Sequence, residues 1–199
     1  MAKPKLDRKT LLRNSLSVFK SKGYNGTSMN DLAAANGLLK GSFYHYIDSK
    51  ESLMLEVLSA LKEYYVNKVF SKVYDETLSL SNKVEEITSR AQEIYTHEEG
   101  GDFFVNIGLE TLNTNPKFGT VIRSFFNEWV LALTHLFSHV YNEEESRTIA
   151  EVTVAEIEGA VILMRLLNDP NYLTRTLNKM KNIFKNQINN LDSEKDGVK

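Results

Sequence analysis

Apolar residues three and four apart recur through most windows of this 199-residue sequence. Strand-like alternation is scarce, and only Pro4, Pro116 and Pro170 interrupt the pattern as prolines. Side chains at that spacing share one face of an α-helix. The pattern therefore predicts an all-α fold of about nine helices. The first carries Leu12, Leu16 and Phe19 on one face and stops at Lys22-Gly23, where glycine supplies a left-handed end. The second opens at Ser28, an N-cap residue with Asp31 three positions on, and stops at Asn36-Gly37. A short third helix is expected at about Lys40–Tyr46 and a long fourth from Asp48 or Ser49 to about Tyr74. Further helices are expected at about 81–97, 102–113, 116–141 and 144–167, with a last one beyond Pro170. Pro116 suits the first turn of its helix, where its missing N–H costs nothing.

Composition narrows the function. Hydrophobic residues make up 42% and charged residues 25%, ordinary for a globular chain with a sizeable core. There is no cysteine, which excludes disulfides, cysteine-ligated zinc and thiol catalysis. No run of about 18 apolar residues is present and the first residues lack the apolar stretch of a secretory signal. The expectation is a cytoplasmic protein with no membrane partner.

The net charge of −2 conceals an asymmetry. Residues 1–50 hold nine Lys/Arg against three Asp/Glu, a net of +6, and residues 51–199 hold fifteen against twenty-three, a net of −8. A basic head attracts phosphate and an acidic body repels it. Lysine-rich N-termini also serve plain solubility, so charge alone leaves both readings open.

Residues 23–50 read GYNGTSMNDLAAANGLLKGSFYHYIDSK. Two short helices joined by a glycine-bearing turn are the outline of a helix-turn-helix, in which the second helix enters the major groove. Lys40 can donate to guanine O6/N7 or to a phosphate. Ser42, Tyr44, His45 and Tyr46 bring hydroxyl and imidazole groups to the same short helix. Thr27 and Ser28 stand at a helix start, where free N–H groups favour a phosphate. Lys50, in the first turn of the fourth helix, opposes the helix dipole, and a nearby phosphate would explain it better than folding would. Phe43 is expected to pack inside.

The run GY-x-GTS-x-x-x-LA-x-x-x-GL-x-KGSFYHY-x-x-SK-x-x-L resembles the N-terminal domain of the TetR/AcrR family of ligand-responsive repressors, over about residues 10–60. The resemblance implies a three-helix DNA-binding domain at 1–50 and a helical effector-binding and dimerisation domain at 51–199. It places Thr27, Ser28, Lys40, Gly41, Ser42, Tyr44, His45, Tyr46 and Lys50 at the DNA face. Two positions depart from the family pattern: Leu39 stands where serine often opens the third helix, and Ile47 where an aromatic often precedes Asp48. Leucine has no acceptor to cap a helix, so that start is expected to differ.

The resemblance further implies a homodimer on a palindromic double-stranded DNA operator, released by a small-molecule effector, with no cofactor. A stripe of Leu173, Leu177, Met180, Phe184 and Ile188, with Gly159 and Leu163 on the preceding helix, is the expected dimer interface; periodicity alone would equally allow the core of one chain. The segments GDFFVNIGLE (101–110) and EGAVILMR (158–165) resemble one group within the family more weakly. Phe104, Ile107, Glu110, Phe125, Trp129 and His135 are candidate pocket residues, since aromatics with a few polar groups suit a ligand cavity; ordinary core is the plainer account of each. His135 and His139, four apart, share a helix face, but nothing nearby supplies a third metal ligand. Phosphate loops and Ser/His/Asp arrangements are absent, so no enzyme is expected. A protein-binding module that lost its DNA role is the third reading, and the basic, hydroxyl-rich third helix argues against it.

Overall fold

The computed structural model describes residues 6–96 and 102–196, with side chains through residue 189. Among the described residues there are nine α-helices and no strand. They are α1 (Arg8–Lys22), α2 (Met29–Ala35), α3 (Lys40–Phe43), α4 (Lys50–Lys68), α5 (Leu80–Thr96), α6 (Phe103–Thr111), α7 (Pro116–Phe137), α8 (Glu143–Leu166) and α9 (Asn171–Asp196). The expected end of the fifth helix, residue 97, lies outside the described residues. Three helix ends fall well short of the spacing; the end of α7 at Phe137 instead of 141 is one. α3 ends at Phe43, after which the N–H groups of His45 and Tyr46 donate to the carbonyls of Ser42 and Phe43, three residues back. α4 ends at Lys68, and Phe70–Tyr74 tightens into a 3-10 segment.

The helices group into two compact units. The first comprises Met1–Tyr64 and Phe103–Phe125. Leu11 and Phe19 of α1, Leu32 of α2, Phe43 of α3 and Leu53 of α4 are all fully buried there. Each contributes about 2 kcal/mol by leaving water. The helix ends are set by local chemistry. The Asp7 side chain accepts from the Thr10 N–H at 2.9 Å to start α1, and Gly23 at φ 69° closes it. Ser28 and Asp31 form a reciprocal capping box at the start of α2.

The second unit comprises Tyr65–Asp102 and Phe126–Lys199. Here α9 packs on α5 and α8. Val84, Ile87 and Ile94 of α5, Val154, Ile157 and Val161 of α8, and Leu173, Leu177, Met180 and Phe184 of α9 are buried. Phe184 stacks on Phe137 of α7 with ring centroids 4.8 Å apart. Asn142 caps α8 by accepting from the Glu145 N–H. Ion pairs on the helix surfaces, such as Lys181–Glu85 and Lys179–Glu156, are half-exposed and add little. No described helix is long and apolar enough to cross a membrane.

Candidate nucleic-acid interface

The helix-turn-helix of the first unit is α2, the turn at Asn36-Gly37, and α3. Gly37 sits at φ 67°, the left-handed conformation that lets the chain reverse between the helices. The Asn36 amide donates to the Leu32 carbonyl at 2.8 Å and tightens the end of α2. α3 starts at Leu39, whose side chain makes no capping bond, as its leucine character predicts. Leu39 is 81% exposed. Phe43 is fully buried and anchors α3 to the unit, which leaves Lys40, Gly41, Ser42, Tyr44 and His45 exposed and Tyr46 half-exposed. A buried aromatic thus holds a short basic and hydroxyl-bearing segment outward.

The loop between α1 and α2, residues 23–28, is tied by three separate elements. From α6, the Glu110 carboxylate accepts from the N–H of Tyr24 at 2.7 Å and of Asn25 at 2.6 Å. From α4, the Lys50 ammonium donates to the carbonyls of Tyr24 at 2.8 Å and Thr27 at 2.9 Å, and lies 4.3 Å from the centre of the Tyr24 ring. From α7, Phe118 meets that ring edge-on, with centroids 4.9 Å apart. Charge-assisted bonds of this kind are about twice as strong as neutral ones. The loop also closes on itself, the buried Thr27 hydroxyl donating to the Gly23 carbonyl at 2.6 Å. Lys22 pairs with Asp31, and this ammonium, followed by the Ser28 hydroxyl and N–H, holds the Asp31 carboxyl well below the usual range. At the start of α4, Lys117 and then Asn115 hold the Glu51 carboxyl below its ordinary value.

These contacts say what several residues do in the folded chain. Lys50, without a folding partner in the sequence around it, finds two carbonyls and an aromatic face inside the unit. Thr27 turns its hydroxyl inward. Glu110 binds the loop. Of the other candidate pocket residues in the first unit, Phe104 and Phe125 stack at 3.9 Å and Ile107 is buried.

In the second unit, Trp129 is buried beside Phe70, with ring centroids 6.3 Å apart. His135 packs against Tyr74 at 4.5 Å. Partial burial, and after it His139 and Lys83, lowers the His135 pKa. The His135 and His139 rings lie edge-on at 5.3 Å, and no group of three or more metal-ligating side chains forms among the described residues. Leu173, Leu177, Met180 and Phe184 are used in the core of this one chain, so their stripe is not free to meet a second. Gly159 and Leu163 are exposed on α8, and Ile188 is half-exposed on α9.

One group in the second unit escaped the sequence reading. Glu158 of α8 accepts from the hydroxyl of the buried Tyr95 at 3.2 Å through Oε1. Its Oε2 is buried with no partner among the described residues. Burial, and the charge of Asp102, raise this carboxyl to about 7 against the opposing pull of the Tyr95 bond. The available signal was an acid four residues after Val154 and three before Val161, on the apolar face of its helix.

Comparison with known proteins agrees with this architecture. Residues 11–57 match the sequence profile of bacterial regulatory proteins of the tetR family. Residues 79–179 match that of the LmrA/YxaF-like transcriptional regulator C-terminal domain. The HTH-type transcriptional regulator YuxN of Bacillus subtilis is 38% identical over 65 residues, which is 33% of this chain and 21% of that protein. The HTH-type transcriptional repressor DhaR of Mycobacterium sp. is 22% identical over 165 residues, covering 80% of this chain and 82% of that protein. A TetR transcriptional regulator from Legionella pneumophila matches in structure with a TM-score of 0.79 at 20% identity, over 91% of this chain and 99% of that one.

Proposed function

The chain belongs to the TetR family of transcriptional regulators, and we propose that it is a cytoplasmic homodimeric repressor, released from a palindromic operator by a small-molecule effector. Residues 1–50 serve DNA binding, and residues 51–199 serve effector binding and dimerisation. The observation that carries this reading is the outward face of α3, where Lys40, Gly41, Ser42, Tyr44 and His45 are exposed above the buried Phe43. Lys40 donates to a guanine edge or a phosphate, and the hydroxyls and imidazole supply further contacts to bases and backbone. Ser28 and Tyr46 border this surface. Thr27 and Lys50 act chiefly by fixing the loop before α2.

A dimer is supported by the outer face of α8. Val152, Ala155, Gly159, Ile162 and Leu166 follow at spacings of three and four, Leu163 lies four beyond Gly159, and all six are exposed. Such a stripe on a surface helix is what a paired helix needs, and glycine permits close backbone approach. A two-fold dimer reads two half-sites about 34–36 Å apart, which is why the operator is palindromic. An effector releases it by binding one dimer geometry more tightly than the other. Helix α4, whose residues belong to both units, is the element through which that preference reaches α3.

The test is selection of genomic DNA fragments by the purified protein at two salt concentrations. The expected result is one palindromic sequence, bound far more weakly at the higher salt and weakened by Lys40→Ala with a shallower salt slope. Weak binding without sequence preference, in protein freed of small molecules, would overturn the reading.

A further inference from the structure

The second unit contains a buried carboxylate oxygen that the fold does not satisfy. Glu158 Oε1 is held by the Tyr95 hydroxyl, which fixes the carboxylate plane, and Oε2 is closed off from solvent with no partner among the described residues. The nearby cation does not serve it: Arg165 Nε lies 3.2 Å from Asp102 Oδ2. Asp102, itself buried, is the other charge that acts on this carboxyl. A buried polar atom left unpaired costs free energy that a structure normally avoids. A trapped water would relieve the missing hydrogen bond and leave the charge uncompensated. A proton removes both costs at acidic pH; once the carboxyl is ionised, a donor that is also a cation does so.

We propose that Glu158 Oε2 is the anchoring acceptor for an organic cation, a protonated amine or amidinium on an apolar or aromatic body. This rests on the effector reading above and names the class of effector. The Tyr95 hydroxyl positions the carboxylate. Neutral alcohols and amides of the same shape supply the hydrogen bond without the charge and bind more weakly.

The experiment is calorimetric titration at pH 8 with benzamidine and phenethylamine, each paired with its neutral counterpart, benzamide and phenethyl alcohol. Wild type, Glu158→Gln and Tyr95→Phe are compared, and thermal melting establishes that each variant is folded. The cations are expected to bind wild type more tightly than their neutral counterparts. Loss of the charged acceptor in Glu158→Gln should cost about tenfold to a hundredfold in cation affinity and leave the neutral compounds unchanged. Tyr95→Phe should give an intermediate loss. Equal binding of cations and neutral compounds, equal binding to wild type and Glu158→Gln, or no binding of either cation at millimolar concentration would overturn the proposal. A parallel DNA-release assay separates this from the effector reading. Neutral compounds that release DNA from wild type and Glu158→Gln alike leave that reading standing without this site. A cation that binds through Glu158 and releases no DNA leaves the site standing without that reading.

Discussion

Two glutamates show how differently the two units treat a carboxylate. In the first unit, both oxygens of Glu110 are taken by the N–H groups of Tyr24 and Asn25, within a loop also tied by Lys50 and Phe118. In the second unit, one oxygen of Glu158 has Tyr95 and the other has nothing among the described residues. Hydrogen bonds to the charged form stabilise it, and burial without them favours the neutral acid. One region is built to hold its shape as it stands. The other is stable only at a cost that a proton or a second molecule relieves.

The largest expected effect that sharpens this contrast is at Gly23. Its φ of 69° and ψ of 178° lie in a region nearly restricted to glycine, and a Cβ there would stand 2.8 Å from a Glu110 oxygen. Gly23→Ala should therefore strain the backbone and push the carboxylate off both N–H groups, costing roughly 4 kcal/mol in denaturant unfolding. A loss under about 1 kcal/mol would show that the loop does not need the clamp.

The next effect has the opposite sign and depends on pH. The folded Glu158 carboxyl titrates at about 7, above its ordinary value of 4.5. Between those values the folded state holds a proton that the unfolded state has released, so this group's contribution to stability falls as pH rises. Glu158→Gln removes the titration. Its stability should match wild type near pH 5 and exceed it by roughly 3 kcal/mol at pH 8. Tyr95 and Asp102 are the ionisable groups that act on it. Thermal melts of the two proteins at both pH values decide the matter; curves that stay parallel from pH 5 to 8 would mean Glu158 is ionised and already satisfied.

The smallest effect applies the same chemical change to the other glutamate. Glu110→Gln keeps one carbonyl oxygen for the loop but turns an amide N–H₂ toward the second N–H donor. It should destabilise by roughly 1–2 kcal/mol at both pH values and weaken operator binding, since the loop sets the start of α2. If Glu110→Gln and Glu158→Gln shift stability in the same direction at pH 8, the contrast between the regions fails.

The sequence made the first unit far more legible than the second. Ser28 with Asp31, Gly23, Gly37 and the KGSFYHY run are local signals, and the structure uses each within a few residues of where it stands. Glu110 meets its partners 86 and 85 positions away, so its helix alone gave no reason to separate it from a pocket residue. Lys50 was unreadable for the same reason. The end of α4 is illegible in the sequence because Tyr65, Val69, Phe70 and Val73 are all buried, and their spacing suits a continuing helix as well as a 3-10 segment. On α9 the apolar stripe was read clearly, but period fixes a face and not what covers it. That face lies against α5 and α8 of its own chain, and the exposed stripe of α8 is where an unmet apolar surface remains.

The clamp on the α1–α2 loop has a consequence for how this stretch of chain tolerates change. Glu110 grips N–H groups and Lys50 grips carbonyls, so both hold the main chain and neither reads a side chain at Asn25. The exposed position 25 can therefore drift through residue types with little effect on the fold. Proline is the exception, and an asymmetric one. It lacks the N–H that Glu110 needs, while the carbonyls that Lys50 takes belong to Tyr24 and Thr27 and stay in place. A saturation library at position 25 would thus record a single forbidden letter in an otherwise permissive column, the trace left in genetic data by a contact made to the backbone.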